Sequence, residues 1–186
     1  EIKAELDRLN SIFSTYDPNS ELSKLNQFKE SSEIEISAEL NEVLELSREI
    51  NKEASGYFDV TVGPIVNAWG FGPDGKRKRP TTEKLNQLKT RVGMDLFDLK
   101  ESKLTKKKPD IYIDLSAIAK GYTVDKILEL VESKGFKSGL VEIGGEVRAY
   151  GKKPDGSSWL IGIEKPEEQL GQGIQAIVSL DELAMA

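Results

Sequence analysis

The sequence predicts an α+β fold: antiparallel sheets flanked by helices, in a single domain or one domain of two lobes. Three observations predict it. Helical apolar periodicity dominates the first half. Short β-rich runs separated by turn residues crowd together after position 138. Helices and strands are thus largely segregated rather than alternating. No GxGxxG and no GxxxxGK[ST] is present, which removes the dinucleotide-fold and P-loop readings.

The first helix is expected over Ile2–Thr15, with Ile2, Leu6, Leu9 and Phe13 on one side. Asp17-Pro18-Asn19-Ser20 then makes a turn, and Ser20 caps a short helix, Glu21–Asn26. Asp17, Ser20 and Glu21 read as turn and cap residues. Ser37 caps a long helix to about Ala54, with Leu40, Val43, Leu44, Ser47 and Ile50 inward and Gly56 as its stop. Tyr57–Gly72, YFDVTVGPIVNAWGFG, reads as a buried strand running into a glycine-rich turn. Trp69 and Phe71 there read as core residues, with a ligand contact as the alternative. A loop follows over Gly72–Pro80, with a polar turn at Asp74-Gly75, and then an amphipathic helix, Thr82–Val92, closed by Gly93.

Leu96–Leu99 and Lys103–Lys106 read as strands around a Glu101-Ser102 turn. Ile111–Leu115 reads as a strand and Ile118–Lys134 as a helix ended by Gly135. Ile118, Tyr122, Ile127, Leu128 and Val131 share one face of that helix. Four more strands are expected: Ser138–Ile143, Val147–Gly151, Trp159–Glu164 and Ile174–Leu180. Gly144-Gly145 joins the first two, as a plain hairpin turn or as a place of close approach to a ligand. Lys153-Pro154-Asp155-Gly156 turns between the next pair.

Composition narrows the function. The 186 residues suffice for a sizeable core, and 38% hydrophobic with 31% charged residues is a globular balance. A net charge of −6 disfavours a duplex nucleic-acid binder. The lysines at Lys106–Lys108 and the basic run Lys76–Arg79 read as solvated loops. With no cysteine and no histidine, disulfides, thiol catalysis, Cys/His zinc sites and Ser-His-Asp triads are excluded within these residues. No apolar run approaches the ~20 residues of a transmembrane helix. The chain starts inside an amphipathic helix and stops at Leu183–Ala186 without a polar tail. Both ends read as cut, and the expectation is a piece of a longer protein.

The most informative stretch is Ile111–Asp125, IYIDLSAIAKGYTVD. An apolar run ends in Asp114. Ala117 follows three residues later, then Lys120 three further on, as a helix begins. A carboxylate, a helix start with unpaired N–H groups and a first-turn lysine suit a phosphate or a hard metal ion. The bland alternative is a strand–turn–helix unit with Ser116 near the cap and both charges solvated.

Together with Tyr57–Gly72, this stretch resembles the ApbE-like FAD:protein FMN transferase family. Thr15–Asn26, TYDPNSELSKLN, is similar to that family's N-terminal flavin-side motif. Val141–Ala149, VEIGGEVRA, is similar to its glycine-pair strand motif. Ser179–Ala186, SLDELAMA, is similar to the run into a later motif. The resemblance covers about Leu9 to the end as one flavin-transferase-like domain, incomplete at both ends.

The resemblance implies FAD contacts at Tyr16, Tyr57, Phe58, Asp59, Asp114 and Lys120. Tyr16 reads equally as a core aromatic; in the family an aromatic there covers the isoalloxazine, and the 57–59 contacts are partly through backbone. It implies magnesium on the main-chain carbonyl of Ala117; a carbonyl oxygen suits a hard ion, but one alone cannot hold it. The implied reaction is magnesium-dependent transfer of FMN from FAD to a threonine hydroxyl, with AMP released. An FAD pyrophosphatase and a non-catalytic FAD binder are the alternatives. The family continues past the LAMA-like strand, with an Asp and a Thr that bind magnesium and a His that helps activate the nucleophile. Its implied partners are acceptor proteins of membrane redox complexes that carry a flavinylated threonine. Its implied location is the bacterial cell envelope, as a lipoprotein reaching the membrane only through an N-terminal anchor.

Overall fold

In a computed structural model, the chain is described over residues 1–73, 75, 79–166 and 173–186. Asp74 and positions 76–78 of the expected turn and basic loop lie outside the described residues. Among the described residues, six α-helices, two 3-10 turns and eight strands follow one another, and every strand pairing is antiparallel. The chain divides into two compact units: Leu6–Ala119, and Glu1–Glu5 with Lys120–Ala186.

Helix α1 is Ile2–Phe13. In the Leu6–Ala119 unit, α2 is Glu21–Gln27 and α3 is Ala38–Glu53. Both begin as expected. Ser20 Oγ accepts from Ser23 N at 3.0 Å, and Ser37 Oγ accepts from Leu40 N at 3.2 Å. Asp17 Oδ1 accepts from Asn19 N at 2.9 Å, and Glu21 Oε1 accepts from Ser37 N at 2.6 Å. Leu40, Val43, Leu44 and Ser47 are the buried stripe of α3. The sheet β1 (Glu33–Glu35), β2 (Phe97–Lys100) and β3 (Lys103–Lys106) has the order β1-β3-β2. Its hairpin turns at Glu101 and Ser102 with φ of 49° and 60°, the left-handed pair of a two-residue turn.

Two expected strands are absent. The 60–68 stretch is a 3-10 turn, Val60–Val62, leading into α4, Gly63–Ala68. Asp59 caps the turn by accepting from Thr61 N at 2.7 Å, and Pro64 lies in the first turn of α4. A proline there is pre-set for a helix and would leave a gap in a strand ladder, so it outweighs the β-branched run. Gly63 is required at this junction: a Cβ would stand 2.3 Å from Tyr112 Cδ1. Ile111–Leu115 is also not a strand. Ile111, Ile113 and Leu115 are fully buried in alternation, yet no strand among the described residues pairs with them.

Helix α5 is Thr82–Lys89, capped by Thr81. In the other unit, α6 (Ala119–Ser133) buries Tyr122, Val124, Ile127 and Leu128. Strands β4 (Gly139–Ile143), β5 (Glu146–Tyr150) and β8 (Ala184–Met185) form one sheet, and β6 (Trp159–Glu164) with β7 (Ile174–Leu180) another. Val147, Ala149 and Leu180 make a small core with Leu140, Trp159, Ile161 and Val178 against it. Among the described residues, no helix is long and apolar enough to cross a membrane.

Candidate functional site

The predicted residues fall into three groups, two in the Leu6–Ala119 unit and one in the other. The first group is aromatic. Tyr16 is 67% exposed, and its hydroxyl donates to Phe71 O at 3.3 Å. The Ser14 hydroxyl accepts from the main-chain N–H of both Tyr16 and Asp17 (3.1 and 3.0 Å), which holds Tyr16 outward. Phe71 and Trp69 are exposed at the end of α4, so their expected core role is wrong. The α4 helix ends at Ala68 and Gly70 takes a positive φ of 78°, which carries the next residues away from the packed face. Gly72 fits closely against that end, since a Cβ would lie 1.7 Å from Asn67 Oδ1. Tyr57 is almost wholly exposed, and the Phe58 carbonyl accepts from Asn51 Nδ2.

The second group is acidic. Asp59 Oδ1 accepts from both Thr61 N (2.7 Å) and Thr61 Oγ1 (2.6 Å), and Thr61 Oγ1 accepts in turn from Gly93 N at 2.7 Å. Asp114 N donates to Val60 O at 2.7 Å, so the two aspartates sit on neighbouring backbone. Asp114 Oδ1 accepts from Ser116 N at 2.9 Å. Each aspartate thus fixes its own turn with Oδ1. Oδ2 of each has no hydrogen-bond partner among the described residues. Ala117 is exposed in the turn that follows.

Sequence reasoning missed the residue that holds Asp114 in place. Asn26, 4% exposed, donates from Nδ2 to Ile113 O and accepts at Oδ1 from Ile113 N, both at 2.8 Å. One carboxamide supplies both bonds that a neighbouring strand would make. Its place in the LN end of the flavin-side motif was the available signal.

The third group surrounds Lys120. Its Nζ lies 2.7 Å from Glu146 Oε2 and donates to Gly144 O at 3.2 Å. Gly144 and Gly145 have φ of 58° and 99°, the two-residue hairpin turn between β4 and β5. Glu142 Oε1 accepts from Gly145 N at 2.7 Å, bracing the turn.

One lysine is misplaced by the sequence. Lys106 is fully buried rather than solvated, and its Nζ donates to Phe28 O at 2.8 Å. Burial, with nearby Lys29 adding to it, pushes its ammonium down to about 8.

Among the described residues, no three acidic side chains gather to hold a metal, and none contains histidine or cysteine. Ala117 offers a single carbonyl oxygen. These residues alone therefore do not fit a magnesium ion.

The fold and these groups define an α+β protein with an aromatic platform, capped aspartates and a tethered lysine. The model of the ApbE family matches residues 1–186, and the chain belongs to that family. It is 43% identical over 192 residues to the FAD:protein FMN transferase of Haemophilus influenzae, covering 100% of this chain and 56% of the relative. It is 38% identical to that of Vibrio cholerae, covering 100% and 57%. The solved flavin transferase ApbE from Vibrio cholerae superposes with a TM-score of 0.91 at 38% identity, over 100% of this chain and 60% of that one. A Pseudomonas stutzeri flavinyl transferase ApbE, in apo form, superposes at 0.85 and 32% identity, over 97% and 57%. The chain spans about half the length of the curated relatives it matches.

Proposed function

We propose that the protein containing this chain transfers FMN from FAD to a threonine hydroxyl of acceptor proteins and needs magnesium to do so. The observation that carries this reading is Lys120: a first-turn lysine tethered on two sides, in a chain whose relatives are named FAD:protein FMN transferases. A fixed cation of this kind suits a pyrophosphate. Tyr16 stacks on the flavin ring, the backbone at Tyr57, Phe58 and Asp59 contacts FAD, and Asp114 accepts a hydrogen bond from it through Oδ2.

In the transfer, the threonine oxygen attacks the FMN phosphorus and loses its proton to a base. The P–O bond to the AMP half breaks, and AMP leaves with the bridging oxygen. Magnesium, when bound, neutralises the pyrophosphate. Ala117 would contribute one carbonyl to it, beside ligands that the family resemblance places after the LAMA-like strand. The acceptors are proteins of membrane redox complexes and the location is the bacterial envelope, both on the strength of the family resemblance.

The test mixes the intact protein with FAD, magnesium and an acceptor domain bearing the target threonine. The acceptor should gain the mass of FMN less water, with AMP in equal amount. Free FMN and AMP beside an unmodified acceptor would mean a pyrophosphatase. Intact FAD would mean a binder.

A further inference from the structure

Glu146 has no assigned role, and its geometry gives it one. Its carboxylate is 21% exposed and lies 2.7 Å from Lys120 Nζ, while Gly144 O takes a second bond from the same ammonium at 3.2 Å. An ammonium has three N–H donors. The hydrogen bond to Gly144 O and the ion pair with Glu146 hold the ammonium against the β4–β5 hairpin, and its remaining N–H groups can meet an incoming anion. A lysine side chain left alone samples many rotamers, and ordering it costs binding energy. Here the order exists before any ligand arrives.

The hairpin itself is built to present these two acceptors. Glu146 is the first residue of β5, paired with Ile143 across the glycine turn. Glu142 braces the turn through Gly145 N. Gly144, with φ of 58°, turns its carbonyl to Lys120, and even a methyl there would stand 3.4 Å from Lys120 Cδ. Glutamate is an unexpected neighbour for a group that is to meet a pyrophosphate, since like charges repel. Its nearness is explained if its work is done on the lysine and not on the ligand.

We propose that Glu146 is a positioning residue: its ion pair holds Lys120 extended toward the phosphate-binding position, with N–H donors left for the FAD pyrophosphate. This inference rests on the FAD-binding reading above.

The experiment is FAD and riboflavin titration of the intact protein carrying Lys120→Ala, Glu146→Ala, Glu146→Gln or the Lys120→Ala/Glu146→Ala pair. Glu146→Ala should weaken FAD binding by about tenfold, the size of one charge-assisted contact. It should leave riboflavin binding and thermal stability unchanged, because riboflavin has no phosphate. Glu146→Gln keeps the shape and an acceptor oxygen, and should fall between wild type and Glu146→Ala. The double variant should bind FAD no worse than Lys120→Ala alone, because Glu146 acts only through the lysine. Additive losses, or equal losses for FAD and riboflavin, would overturn the proposal. So would tighter FAD binding by Glu146→Ala, which would make Glu146 a competitor of the pyrophosphate. If Lys120→Ala itself binds FAD like wild type, or wild type binds none, the underlying reading fails and this inference with it. If only the Glu146 variants are silent, the inference fails alone.

Discussion

Asn26 stands in for a missing strand beside Ile113, closing both of its main-chain hydrogen bonds at 2.8 Å from one side-chain amide. Ile113 is fully buried, so no water can replace those bonds. The next residue is Asp114, whose own N–H is held by Val60 O. A residue in the N-terminal motif thereby sets the backbone of the aspartate that starts the second motif.

Asn26→Ala should therefore destabilise the fold by about 3 kcal/mol, since two buried backbone groups lose their partners. Asn26→Asp should also be harmful, because a carboxylate accepts from Ile113 N but repels Ile113 O. Urea unfolding of both variants measures this. Losses within ~0.5 kcal/mol of wild type would mean that the segment re-pairs elsewhere.

Lys106 makes stability depend on alkaline pH. Its folded value is about 8 against 10.5 ordinarily. Between these values the unfolded chain holds a proton that the folded chain has lost, so raising pH through this window favours folding. Below about 8 both states are protonated, and the full burden of the buried charge is present. Lys106→Met should abolish this rise and raise stability at neutral pH, by less than the full desolvation cost, since Phe28 O then loses its partner. Denaturant midpoints of wild type and variant from pH 7 to 10.5 decide it; identical slopes would refute the buried cation.

Tyr16→Ala should leave stability within ~0.5 kcal/mol, because the ring is exposed and its hydroxyl makes a long bond to Phe71 O. It should weaken flavin binding and reduce quenching of flavin fluorescence on binding. Tyr16→Phe keeps the stacking face and should behave almost as wild type. Fluorescence titration with FAD separates the two.

Activity of the intact protein should vanish in chelator and return with magnesium but not with zinc. The proposed ligand at Ala117 is a main-chain carbonyl, a donor that suits a hard ion over zinc. Undiminished turnover in chelator would remove the metal from the reaction.

The caps of the second and third helices were legible because they are local chemistry: Ser20 and Ser37 bond within their own first turns. The hairpins at Glu101-Ser102 and Gly144-Gly145 were legible for the same reason. The 111–115 segment was not, because its alternation fits any buried extended chain, and its partner is a side chain 87 positions away. The Val60–Ala68 helix was masked by β-branched residues, although Pro64 argued against a strand. Lys106 could have been read correctly. In a strand whose Leu104 faces inward, a period of two turns Lys106 the same way. Family resemblance drew out Tyr16, Asp59, Asp114 and Lys120. The Glu146 ion pair needed the folded hairpin to become visible.

The division of the chain into compact units also bears on how this protein can be re-engineered. The seam passes between Ala119 and Lys120, and again between Glu5 and Leu6, so one unit is assembled from two separated lengths of chain. Neither unit is a cassette that can be traded between relatives with one crossover. A chimaera joined at the later seam would take Asp114 and Ala117 from one parent and Lys120 with its Glu146 tether from the other. A recombination library built on this family should therefore place its breakpoints outside 114–146 and carry Asn26 with that block.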